Sequence, residues 1–114
     1  MAKTPYIYVF VRKDIPTPNA IVQACHACVE MGLAINENRK PKQIPYLVLL
    51  QTRDEESLLE IKEKLDKKGI PNTMFYEPDH KMGYTAIATE PIYGEGRKFF
   101  EKYKLWKKGC EETV

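Results

Sequence analysis

The chain has 114 residues, 43% hydrophobic and 30% charged, with a formal net charge of +2. That length suits one domain over residues 1–114, and the small charge gives no nucleic-acid signature by itself. Three cysteines, an odd number, with no evident leader argue against a disulfide framework and make reducing cytoplasm the expected compartment, and no apolar run approaches membrane-spanning length.

Tyr6 to Val11 is a nearly continuous apolar run, the pattern of a strand covered on both faces. Arg12-Lys13-Asp14 ends it. Pro16 and Pro18 stiffen the following loop, and Thr17 is placed to cap a helix with Pro18 at its first position. That helix is expected to reach about Glu37. At about 100° per residue, Cys25, Cys28, Gly32 and Ile35 fall within about 40° of Ile21, which predicts the core stripe. His26 lies near 140°, where the apolar face meets solvent, with Glu30 one turn on. A boundary histidine that only packs its ring also fits this placement.

Asn36 to Lys42 reads as a solvated loop, and Tyr46 to Leu50 as a second strand. Thr52-Arg53-Asp54-Glu55 has the capping-box pattern. Asp54 to Lys68 then forms an amphipathic scaffold helix with Leu58, Ile61 and Leu65 inward, ended by Gly69. Asn72 to Tyr76 is a third strand, Tyr84 to Glu90 a fourth, and Arg97 to about Lys104 a last helix. A basic-then-acidic tail runs from Leu105 to Val114.

The order β-α-β-α-β-β-α predicts an α/β fold. We expect a mixed four-stranded sheet with three parallel strands, one antiparallel strand and helices on both faces.

Two polar loops then share one sheet end. One is Arg12-Lys13-Asp14 and the other Glu77-Pro78-Asp79-His80-Lys81. A carboxylate in the second could orient His26 across a cleft, though an exposed turn built on Pro and Asp is the plainer reading. Cys25-His26-Ala27-Cys28 invites a metal or redox role. A closed zinc site needs four ligands, however, and the pair lies too far into the helix for thiol activation. Small core residues are the simpler reading, and no metal or cofactor is expected. From Arg97 to Lys108 cations alternate with aromatics, which suits phosphate contacts and base stacking, or an amphipathic helix with Phe99, Phe100 and Tyr103 inward.

Val11-Arg12-Lys13-Asp14-Ile15, followed by Ile21-Val22-Gln23-Ala24-Cys25-His26-Ala27, resembles the type II peptidyl-tRNA hydrolase family. That family has a strand ending Val-Arg-x-Asp-Leu, a Gly/Lys-rich loop and a helix with Gln-x-x-His-Ala. Downstream, Thr85 to Pro91 matches its Thr-x-Leu-x-Ile-Gly-Pro, and Glu77 stands where the family has aspartate. The resemblance implies a hydrolase that cleaves the ester between a peptidyl or N-blocked aminoacyl group and tRNA. It implies tRNA as partner, no membrane, and leaves room for a homodimer. It makes His26 a base or water-orienting group steered by Glu77 or Asp79. Lys13 and Arg12 would meet phosphate or the oxyanion, Gln23 and Thr85 would position substrate, and Asp14 and Lys81 would contact it. The Gly/Lys-rich loop is replaced by Ile15-Pro16-Thr17-Pro18-Asn19. A catalytically inactive RNA- or protein-binding module on the same fold therefore stays open.

Overall fold

The computed structural model describes residues 3–107. Expectations for residues 108–114, including Cys110 and the acidic tail, lie outside the described residues. The elements are β1 (Tyr6–Arg12), α1 (Thr17–Ala34), β2 (Tyr46–Thr52), α2 (Glu55–Lys67), β3 (Asn72–Glu77) and β4 (Gly83–Thr89). Short 3-10 turns cover Glu37–Arg39, Asp79–Lys81 and Gly94–Phe100.

The sheet order is β2-β1-β4-β3. The expected set of three parallel strands does not form. Only β1 and β2 pair parallel, from Tyr6 opposite Tyr46 to Arg12 opposite Thr52. β4 lies between β1 and β3 and pairs antiparallel with both. The reason is that β4, turned back beside β3 by the short Pro78–Met82 connection, also inserts its other edge beside β1 and so separates β3 from the parallel pair. The apolar run Ala86-Ile87-Ala88, fully buried, then takes the sheet centre and leaves β3 at the edge. Val11, Ala86 and Phe75 share one level across three strands. The ends of β1 and β3 therefore open at the same sheet end.

Strand alternation divides the core in two. On one face Val9, Val11, Ala86 and Ala88 meet Ala20, Ala24, Ala27 and Met31 of α1. On the other, Phe10, Leu50 and Ile87 meet Leu58, Ile61 and Leu65 of α2. Phe100 joins this second cluster and stacks on Tyr8 at 4.0 Å. The helix expected from Arg97 is absent. A 3-10 turn begins earlier, at Gly94, because two glycines disfavour an α-helix there and the aromatics pack one by one. Tyr103, for example, stands edge-on to Phe10 at 5.1 Å.

Both long helices depart from their expected details. The buried face of α1 is Ala20, Gln23, Ala24, Ala27 and Met31, rotated by about 100° from the predicted stripe. Ile21 is 52% and Leu33 83% exposed, and Cys25 is exposed as well. Alanines win the inner face because only they let the helix settle closely on Ala86 and Ala88. α1 begins at Thr17 itself, with Pro16 preceding it and no side-chain cap. α2 is capped by Asp54, whose Oδ1 accepts the Ser57 N–H at 3.0 Å, rather than by Thr52. Glu55 is thereby released to bind elsewhere. α2 ends at Gly69, whose φ of +72° suits the left-handed position.

Leu58 is fully buried, so Leu58→Ala should cost about 2–5 kcal/mol in chemical denaturation. Ala27→Leu should cost about 1–3 kcal/mol by overpacking the α1 seam. Ile21→Ser should change stability by less than about 0.5 kcal/mol, as expected for an exposed position. The opposite order would restore the predicted stripe.

Candidate active site

The shared sheet end carries a chain of hydrogen bonds that links β4, α1 and β3. The Thr85 hydroxyl donates to Gln23 Oε1 at 2.8 Å. Gln23 Nε2 donates to Glu77 Oε1 at 3.0 Å. The Asp79 amide N–H donates to Glu77 Oε2 at 3.3 Å. Thr85 is fully buried and Gln23 only 3% exposed. A buried amide is costly unless both its ends are bonded, so this chain fixes the orientation of Gln23. The close α1–β4 packing puts Gln23 there.

The chain terminates on a carboxylate that stays ionised. The Gln23 bond is the main reason the Glu77 carboxyl lies below the usual carboxylate range; the Asp79 amide and positive charge on His26 and His80 add to it. Glu77 faces a cleft of about 350 Å³, lined also by Asn19, Val22, Gln23, Asp79 and His80. Asn19 precedes Gln23 by one helical turn, and that spacing is the sequence signal that could have placed it here.

His26 is exposed and stacks face to face on Phe75 at 4.5 Å, interplanar angle 3°. It lies near enough to Glu77 to affect its charge, but Gln23, not His26, holds the carboxylate. Asp79 contributes its amide to Glu77 and its side chain to the cleft lining.

Arg12, the last residue of β1, and the two residues after it do not act together on the cleft. Arg12 is committed to structure. Its guanidinium makes a two-point pair with Asp14, both contacts 2.9 Å, and donates to the carbonyls of Met82 and Tyr84. The bonds to Asp14 push its pKa up, so it stays charged. Arg12 and Asp14 thus brace the start of β4. Lys13 is exposed and lines a separate groove with Gln51, Lys104, Leu105 and Lys107. Lys81 is exposed on the β3–β4 turn, outside the lining of the cleft.

That turn is held tightly. His80 and Lys81 both have φ of +56°, a left-handed conformation costing about 1–3 kcal/mol per non-glycine residue. Gly83 follows at φ +75°, and a Cβ there would meet Glu55 Oε2. Glu55 instead accepts the Tyr84 N–H at 2.9 Å, tying α2 to the turn. Cys28 is half-buried, which pushes its thiol pKa up and away from thiolate chemistry. Among the described residues no three His, Cys, Asp or Glu converge on a metal position. No helix among them is long and apolar enough to cross a membrane.

Three comparisons bear on this arrangement. A mouse protein named "Putative peptidyl-tRNA hydrolase PTRHD1" is 31% identical over 116 residues, covering 88% of this chain and 81% of that protein. A solved structure of Atu0240, a protein of unknown function from Agrobacterium tumefaciens strain C58, has the same fold. It superposes with a TM-score of 0.63 at 17% identity, over 94% of this chain and all of that one. Residues 6–105 match the family described as Peptidyl-tRNA hydrolase PTH2, and the chain belongs to that family.

Proposed function

We propose that the protein hydrolyses the ester joining a peptidyl or N-blocked aminoacyl group to tRNA, with the cleft at Glu77 as its active site. The observation that carries this reading is the Thr85–Gln23–Glu77 chain, which presents an ionised carboxylate to an open cleft. Glu77 accepts a hydrogen bond from the attacking water and aligns it on the ester carbonyl carbon. As the water oxygen bonds to the carbonyl carbon its proton passes to Glu77, and the tetrahedral intermediate then expels the ribose oxygen, which takes that proton as the carbon–oxygen bond breaks. Asp79 and His80 line the same cleft, and His26 stands beside it as the nearest imidazole on α1. Gln23 and Thr85 act as positioning residues, because they reach the reaction through Glu77. The same reading has the protein work in the cytoplasm and as a homodimer, which sedimentation equilibrium at micromolar concentration tests.

One observation favours a second reading, a binding module without turnover. Arg12 is locked to Asp14 and two carbonyls, and Lys13 lines another groove, so neither cation faces the cleft. Developing oxyanion charge would then depend on neutral or imidazole donors.

Release of N-acetylaminoacyl acid from charged tRNA separates the two. Glu77→Gln should lower turnover about a hundredfold or more, the range for a lost proton-handling group. Wild-type protein that is folded and binds tRNA but gives no release would select the binding module. The rate should also fall on the acid side as Glu77 takes up a proton, below the ordinary glutamate range. Gln23→Ala removes the donor that favours the charged form, so this acid limb should move to higher pH. An acid limb unmoved by Gln23→Ala would assign it to another group, and His26→Ala would then be measured next.

A further inference from the structure

The groove that holds Lys13 has no role in the chemistry above. It lies at the same sheet end, on the far side of β1 from the cleft, with a volume of about 480 Å³. Lys13, Lys104 and Lys107 line it with Gln51 and Leu105, and no described lining residue is acidic. Unlike most surface lysines, these three stand on fixed backbone. The Lys13 N–H donates to the Thr52 carbonyl at 2.7 Å. The Gln51 N–H donates to the Lys104 carbonyl at 3.0 Å, and the Trp106 N–H to the Leu49 carbonyl at 2.9 Å. Residues 104–106 are thus laid antiparallel along β2, with Leu105 bridging to Leu50. Gln51 Oε1 accepts the Lys107 N–H at 3.3 Å, and Trp106 packs into the α1-side core.

Three cations are therefore gathered with no carboxylate among the described lining residues, in a protein whose net charge is only +2. A groove lined by cations complements a polyanion. Leu105 also lines a second pocket, but there Lys3, Arg97 and Lys98 are offset by Glu95 and Glu101, and Lys98 pairs with Glu95 at 3.1 Å, so the excess of positive charge belongs to the Lys13 groove.

We propose that this groove binds the phosphate backbone of the RNA, away from the acyl end that enters the Glu77 cleft. Lys13, Lys104 and Lys107 contact phosphates, and Leu105 supplies the apolar part of the groove wall. This rests on the reading that a charged tRNA is the substrate. Each phosphate contact releases counterions, so affinity should fall steeply with salt.

The test uses the full chain, deacylated tRNA as the binding probe, and two ester substrates. One substrate is full-length N-acetylaminoacyl-tRNA. The other is the same ester on a short 3′-terminal oligonucleotide. Lys104→Glu/Lys107→Glu should weaken tRNA binding at least tenfold. Its slope of log affinity against log salt should flatten by about two, at about 0.9 per lost phosphate contact. KM for the full-length substrate should rise, while the short substrate should be hydrolysed as by wild type. Lys104→Arg/Lys107→Arg, which keeps the charge, should bind like wild type. Unchanged affinity and salt slope in the Glu variant, with a wild type that hydrolyses charged tRNA, would overturn the groove and leave the proposed activity standing. Equal loss on both substrates would also overturn it, since the lysines would then act on the cleft or the fold. A wild type that neither binds tRNA nor releases acyl acid would overturn the hydrolase reading and the groove with it.

Discussion

Closeness between α1 and β4 is the constraint on which the rest depends. Ala20, Ala24 and Ala27 of α1 share one buried cluster with Ala86 and Ala88 of β4. Interiors pack at crystal-like density, so small residues on both sides translate into a short helix-to-sheet distance. Only at that distance can the Gln23 amide reach the Thr85 hydroxyl at 2.8 Å and still bond Glu77 on the neighbouring strand. A polar residue on the inner face of a helix is ordinarily a liability. Here it links three elements, because both ends of its amide are satisfied.

The sheet end is secured a second time by Arg12. Its guanidinium spans from β1 to the carbonyls of Met82 and Tyr84, while Glu55 of α2 takes the Tyr84 N–H. The β3–β4 turn, strained at His80 and Lys81, is thus held by a cation from β1 and a carboxylate from α2. Such over-determination is what allows unfavourable backbone angles to persist. A residue that resembles a substrate ligand in sequence serves here to keep the Glu77 loop in place.

The strands were legible because Tyr6–Val11 and its successors are apolar runs of strand length. α2 was legible because Leu58, Ile61 and Leu65 alone mark one face. The register of α1 was not. Ile21, Val22, Val29 and Leu33 carry a stronger hydrophobic signal than the alanines, yet they face outward, since alanine spacing is weak in a hydropathy pattern and decisive in packing. Strand order was also out of reach. A short connection requires β4 to turn back on β3, but nothing local says that its other edge will meet β1. Gln23, Glu77 and Thr85 could be picked out by resemblance to a family pattern. The bonding of Arg12 could not, because two of its partners are backbone carbonyls about seventy positions away.

The short pairing of residues 104–106 along β2 has a consequence for the solution behaviour of the chain. β2 is an outer strand, and an uncovered outer strand offers a template for other chains to add to. The bridge from Leu105 to Leu50 and the flanking bonds occupy the second half of that template. At the opposite margin of the sheet, β3 breaks register between Phe75 and Tyr76, and such a bulge spoils regular addition. Both margins are thus blunted by different means, one by a covering segment and one by an irregularity, and an open sheet can stay free of intermolecular strand growth.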